Sequence, residues 1–330
     1  MNRTAFFGLT AALALGAAAA LGGADAQPSA SYPEKPIHLV VGYPPGGFPD
    51  TMARLFGDQL GKRLNQPVIV DNKPSAGAVI AAETVARSAT DGYSLLVSDV
   101  QVWAIDALIY KTLPFDPFRD FTPITILASA PNFFVMSSLL PVSNEFDRLI
   151  AFLKQHPHTY NYGTAGIGSI HHFTMELLKS KTGISVTHVP YKGGNQVLPA
   201  LASGEVALGI QSLSQLPTFL RQGTVKTVAV ATAKRSPALP DVPTLAELGV
   251  ADMDLPGSMG LLAPKGTPPD IVAKIAAAIK EAAQDSALQS KLSSLGVVPV
   301  ANTPQEMADW MKSDAARYAK AAELAGIKPD

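Results

Sequence analysis

Short apolar runs alternate with stretches in which apolar residues recur every third or fourth position, and that change of period predicts strands alternating with helices. Ile37 to Val41 reads as a strand, residues 50–64 as a helix, Val68 to Val70 as a strand, residues 78–87 as a helix and Ser94 to Val97 as a strand. In the first helix Met52, Leu55, Phe56 and Leu60 share one face, while Arg54, Asp58, Lys62 and Arg63 take the other. The apolar stripe is expected to pack on a sheet. The alternation as a whole predicts a parallel sheet covered by helices.

The pattern restarts after Ala128. An apolar run at Phe133 to Met136 is followed by a helix over 144–155, a strand at Tyr160 to Tyr162, a helix from Ser169, a strand at Ser185 to Val189, a helix over 196–202, and strands at Val206 to Ile210 and Val225 to Ala231. A second α/β lobe fits these elements. After Leu255-Pro256-Gly257 comes a strand at Met259 to Ala263, then helices over 269–285, 287–295 and 304–325 that lack a sheet of their own. They are expected to return to the first lobe. Residues 27–128 with 258–330 then form lobe one and 129–257 lobe two, joined by two crossover segments near 128 and 257 that make a hinge.

The length of 330 residues, beyond the size at which one core stops growing, agrees with two lobes. Arg3, the apolar run from Ala5 to Leu21 and Ala24-Asp25-Ala26 read as a secretory signal peptide cleaved before Gln27. Gly8 and Gly16 interrupt the run and weigh against a membrane anchor, so the mature protein is expected in the periplasm. There is no cysteine, hence no disulfide and no thiolate metal site. With 26 basic against 27 acidic residues, a net charge of −1 and no basic stripe, nucleic acid is not an expected partner.

Two loops carry the candidate chemistry. In Tyr43-Pro44-Pro45-Gly46-Gly47-Phe48-Pro49-Asp50 bare backbone at Gly46 and Gly47 meets a helix start, which suits a carboxylate. Asp50 repels anions and is expected to cap the helix; a plain strand-to-helix turn is the competing reading. Thr164-Ala165-Gly166-Ile167-Gly168-Ser169 has similar chemistry, with Ser169 either a simple N-cap or a ligand contact. Two such cradles suggest a clamp. His171 and His172 are adjacent, so on a helix they point about a hundred degrees apart; they are expected to be structural or surface groups, not a chelating pair. No Gly-x-Ser-x-Gly, His-Glu-x-x-His, Walker or dinucleotide motif occurs, so neither catalysis nor a cofactor nor a metal is expected.

The wording of these loops resembles the substrate-binding proteins of tripartite tricarboxylate transporters, the Bug family. The likeness runs through Tyr32-Pro33, Lys35-Pro36-Ile37, Pro45-Gly46-Gly47 with Asp50, Asp91-Gly92-Tyr93, Leu113-Pro114-Phe115-Asp116-Pro117, Asp120-Phe121-Thr122-Pro123, Tyr162-Gly163-Thr164-Ala165-Gly166, Gly168-Ser169 with His172, His188-Val189-Pro190-Tyr191-Lys192-Gly193 and Leu239-Pro240-Asp241-Val242-Pro243-Thr244. It implies an α/β fold of the type II periplasmic binding protein class, whose two lobes close over a small organic carboxylate and deliver it to a membrane permease of the tripartite tricarboxylate type. Gly46, Gly47 and Phe48 match the first-lobe loop of the family, and Thr164, Gly166, Gly168 and Ser169 the second. The chain departs from it at Ser98-Asp99-Val100-Gln101-Val102-Trp103-Ala104-Ile105-Asp106, where relatives are commonly Gly-Ser/Thr-rich with a His-Ala-Ile-Asn-Pro tail. Ala207 and Gln211 stand where relatives commonly carry Asp. Ser98, Trp103 and Gln211 are added to the expected site, and the loss of acids at positions 207 and 211, with Phe48 and Trp103 near the cleft, favours an aromatic or apolar-bodied acid over an amino acid or citrate; Trp103 in the core is the competing reading. A sensory protein presenting its ligand to a membrane receptor, or a periplasmic enzyme on the same scaffold, are the alternatives.

Overall fold

Strand β1 (Ile37–Val41) leads into helix α1 (Phe48–Leu64), and the chain returns through β2 (Val68–Asn72), α2 (Val79–Ala86) and β3 (Ser94–Asp99) to the short α3 (Asp106–Ile109) and β4 (Phe121–Ala130). The computed structural model describes residues 32–191 and 194–329. The expected signal peptide, residues 1–26, lies outside the described residues. Met52, Phe56 and Leu60 of α1 are buried as their spacing predicts, each removing roughly 1.5–3 kcal/mol worth of apolar surface from water. Asn65 in the left-handed region at φ 51° ends the helix.

The second group of elements is β5 (Asn132–Ser137), α4 (Phe146–Gln155), β6 (Asn161–Thr164), α5 (Ile170–Thr182), β7 (Thr187–Pro190), α6 (Gly194–Ser203), β8 (Leu208–Ser212), α7 (Pro217–Arg221) and β9 (Val225–Val230). Then follow β10 (Gly257–Pro264), α8 (Pro269–Ala282), α9 (Ser286–Ser294), β11 (Val298–Pro299) and α10 (Pro304–Ala325). Two sheets result, ordered β11-β4-β10-β3-β1-β2 and β7-β6-β8-β5-β9.

Neither sheet is wholly parallel. β1 runs parallel to β2 and β3, but β10 enters antiparallel between β3 and β4 because it arrives from the second sheet. The ten-residue β4 has no counterpart in the sequence pattern, since Pro123 breaks the apolar run. That proline sits opposite Leu262, where the ladder shifts register, a position that tolerates the missing N–H. In the second sheet β6 is parallel to β7 and β8, whereas β5 is antiparallel to β8 and β9.

The chain passes between the sheets at Pro131 and again just before β10. The crossings are tied together: Ala231 N–H donates to the Asn132 carbonyl at 2.8 Å, Leu255 N–H to the Ala231 carbonyl at 3.1 Å, and the Asn132 amide to the Leu255 carbonyl at 2.9 Å. A third link is α10, which starts at a Thr303/Glu306 capping box and lies along α5, with the Phe173 and Tyr318 rings edge-on at 5.8 Å. No described helix is long and apolar enough to cross a membrane.

Candidate ligand-binding cleft

A cavity of about 540 Å³ opens between the two sheets, lined from one side by Tyr43, Phe48 and Asp99 and from the other by Gly168, Ser169 and His171. Its size suits a small molecule, and it sits beyond the carboxyl ends of β1 and β3, where open α/β sheets gather ligands.

On the first side, Gly47 is the N-cap of α1 and Asp50 lies in its first turn. The buried Asp50 carboxylate accepts from Gly46 N–H at 2.9 Å, from Arg54 Nε and Nη2 at 2.9 and 3.0 Å, and from the Asn72 amide at 3.0 Å. Burial pushes its carboxyl up, but the Arg54, Gly46 and Asn72 hydrogen bonds outweigh burial and hold it below the ordinary value. Asp50 thus consumes an N–H that bare loop chemistry offers to an anion. Gly46 needs its left-handed φ of 80°, whereas Gly47 is extended and faces Pro44 O. Deeper in the wall Tyr43 Oη donates to both Asp99 oxygens at 2.8 and 2.9 Å, and Gln101 N–H to Asp99 Oδ1 at 3.2 Å. Burial lifts Asp99 to about 6. Behind it Asp106, lifted by burial to about 8, accepts from Gln101 Nε2 at 2.7 Å.

On the second side, Ser169 caps α5: its Oγ accepts from His172 N–H at 3.3 Å and donates to Gly166 O at 2.8 Å. Phe173 N–H is the first to reach back to Ser169 O, so the Ile170 and His171 N–H groups at the helix start have no intrahelical acceptor, and both residues line the cavity. Gly168 adopts φ 76°, with Ile109 of α3 so close that a Cβ would come within 2.9 Å of its Cδ1. Its N–H donates to His172 Nδ1 at 3.2 Å. His172 stacks on His188 at 4.0 Å, and His188 on Tyr162 at 4.9 Å. Burial lowers both histidines, His188 to about 4, so the neutral stack braces the glycine loop from behind.

Of the expected site residues, the cavity brings together Phe48, Gly168 and Ser169. Gly46 and Gly47 stand beside Phe48 but do not line it, and Gly166, at φ 123°, shapes the second loop beside Tyr191 O. Thr164 is buried, sharing a 2.6 Å hydrogen bond with His188 Nε2 and donating to Gly166 O at 3.1 Å. Ser98 is buried on β3 opposite Gly260. Gln211 is buried opposite Phe133, and neither of its amide atoms has a partner. Trp103 is 1% exposed, away from the cavity, and its Nε1–H donates to Asp314 Oδ2 at 3.0 Å. The turn 101–105 winds as a single wide helical turn, which swings the indole inward towards α10.

Asp99, Gln101, Tyr110, Asn132, His171 and Gln215 line the cavity without having been among the expected ligand contacts. The sequence signal for Asp99 was its place in the divergent segment that begins at the end of β3. His171, expected to be a structural or surface group, lines the cavity instead: burial lowers it to about 4, and its Nδ1 is buried without a partner.

Residues 52–326 match the family profile described as "Tripartite tricarboxylate transporter family receptor". Protein BugT of Bordetella pertussis is 32% identical over 299 residues, covering 90% of this chain and 91% of that one. An R. palustris protein solved with adipate superposes with a TM-score of 0.81 at 34% identity, over 91% of this chain and 100% of that one. MatC from Rhodopseudomonas palustris with bound malate gives a TM-score of 0.75 at 30% identity, over 88% and 99%.

Proposed function

This chain belongs to the tripartite tricarboxylate transporter receptor family, whose members are periplasmic solute-binding proteins, and on that footing we propose how its cleft works. The solute is a small organic carboxylate with an aromatic or otherwise apolar body. One carboxylate docks at the start of α5, where the Ile170 and His171 N–H groups and the positive end of the helix dipole favour negative charge by about 0.3–2 kcal/mol. That helix start on the cavity wall is the observation carrying the reading. His171, held neutral, adds an uncharged imidazole beside it. Ser169 contributes by fixing the loop, since its hydroxyl proton is already given to Gly166 O.

Phe48, Ile109, Ile167 and Ile170 supply apolar walls. The relatives solved with adipate and malate support a carboxylate, and adipate an apolar stem. Residues 27–128 with 258–330, and 129–257, act as the two lobes, closing about the paired crossings at Asn132 and Leu255 by ligand-driven population shift. The signal peptide is removed after Ala26, and the loaded protein hands its solute unchanged to a permease of the tripartite tricarboxylate type. Thermal unfolding against a panel of mono- and dicarboxylates tests this: a true solute at about 100 times its Kd adds about 2.7 kcal/mol. A panel without any stabilising acid, or turnover of a bound one, overturns it.

A further inference from the structure

Beyond its carboxylate dock, the cleft has a second polar pole. Asp99 is the one residue among its described lining that carries a formal charge at neutral pH, for no Lys or Arg lines it and His171 is neutral. A dicarboxylate seated there brings like charge against Asp99, which is unfavourable in a partly desolvated site. An ionised carboxylate offers about four acceptor positions. In Asp99 these meet one shared Tyr43 proton and the Gln101 N–H, so acceptor capacity remains on a residue that faces the cavity.

A second observation comes from behind this wall. Asp106 is fully buried, its Oδ1 accepts from Gln101 Nε2, and its Oδ2 has no partner. The carboxyl lies against Gly77, where a Cβ would come within 2.6 Å of Oδ1 and 3.0 Å of Oδ2. Gly77 and Gln101 both line the cavity. Only a glycine at 77, itself at φ 62°, lets the unsatisfied acid stand this close to the ligand space. Two acids at one end and a bare helix start at the other make the cleft bipolar.

We propose that Asp99, backed by Asp106, is a specificity-determining subsite for a hydrogen-bond donor on the solute, a protonated amine above all. The solute is then an amino-bearing carboxylic acid whose hydrocarbon part lies against Phe48 and Ile109. This rests on the carboxylate reading of the cleft and reverses the preference against amino acids that the sequence suggested.

Titration calorimetry with hexanoate, adipate, 2-aminohexanoate and 6-aminohexanoate separates the two claims. At least one amino acid should bind about tenfold or more tighter than both hexanoate and adipate. In Asp99→Asn, with Asp99→Ser as a second variant should the first fold poorly, the ratio of amino acid to hexanoate affinity should fall to about one. Hexanoate or adipate binding as tightly as the better-bound amino acid, or a ratio that survives both substitutions, overturns the donor subsite while leaving the carboxylate dock standing. Silence from all four acids removes the dock and the subsite with it.

Discussion

Replacing Trp103 with Phe tests whether that residue ties the fold or touches the solute. The indole is 1% exposed, and its N–H donates to the buried Asp314, which also accepts from Arg317 Nη2 at 3.2 Å from Oδ1. Losing a hydrogen bond to a charged group costs about 1.5–3 kcal/mol. The two ring carbons removed add roughly 1.6 kcal/mol at about 0.8 kcal/mol per buried carbon. Trp103→Phe should therefore destabilise the protein by about 3–5 kcal/mol. Burial raises Asp314 to about 6, against the lowering effect of the Trp103 donor, so the variant's carboxyl rises further. A group whose folded pKa lies above its unfolded value contributes stability that is complete at low pH and lost as pH climbs through the folded value. The variant loses more of it, and the gap between the two proteins should be wider at pH 8 than at pH 5. Urea unfolding at both pH values reads the gap, with titration of a confirmed solute alongside. A gap below about 1 kcal/mol, equal gaps at the two pH values, or a loss of affinity with stability intact would each refute the argument and return the indole to the cleft.

Gly168→Ala forces a left-handed alanine and drives its Cβ to 2.9 Å from Ile109; about 1–2 kcal/mol of backbone strain and a weakened affinity are expected, with Ile109→Ala relieving the contact but not the strain. Equal affinity for parent and Gly168→Ala by calorimetry would remove this loop from the site. Asp106, raised to about 8, contributes stability that is complete at low pH and lost as pH rises through that value. Asp106 should remove up to about 1.4 kcal/mol of stability per pH unit between pH 6.5 and 8 in urea unfolding, and Asp106→Asn should lack that loss. An unchanged slope would mean that Asp106 ionises normally.

Local physics made much of the fold legible in the sequence. The face of Met52, Phe56 and Leu60 identified α1, and the pattern through Ser169, Phe173 and Leu177 gave α5 together with its cap. Besides the short helices α3 and α7, what escaped were elements whose identity depends on a partner: β4, interrupted by Pro123 and completed by β10 from more than a hundred residues away, and β11, two residues long and paired with β4. Antiparallel entry of β10 leaves no mark on periodicity.

The glycine loops were readable because φ above zero restricts residue type, as at Gly46 and Gly168. The occupancy of their hydrogen-bonding groups was not. Asp50 takes the Gly46 N–H, Ser169 spends its proton on Gly166 O, and Thr164 turns inward to His188, all by distance and angle that only packing fixes. Trp103 likewise passes from expected ligand contact to core because one wide turn at 101–105 aims it at Asp314, 211 positions along the chain. The sequence by itself determined period, turn residues and the absence of cysteine and basic stripes. Tertiary structure alone decided which polar groups stay unpaired at the cleft, Asp106 Oδ2 and His171 Nδ1 among them, because satisfaction of a buried group belongs to the pair and not to the residue.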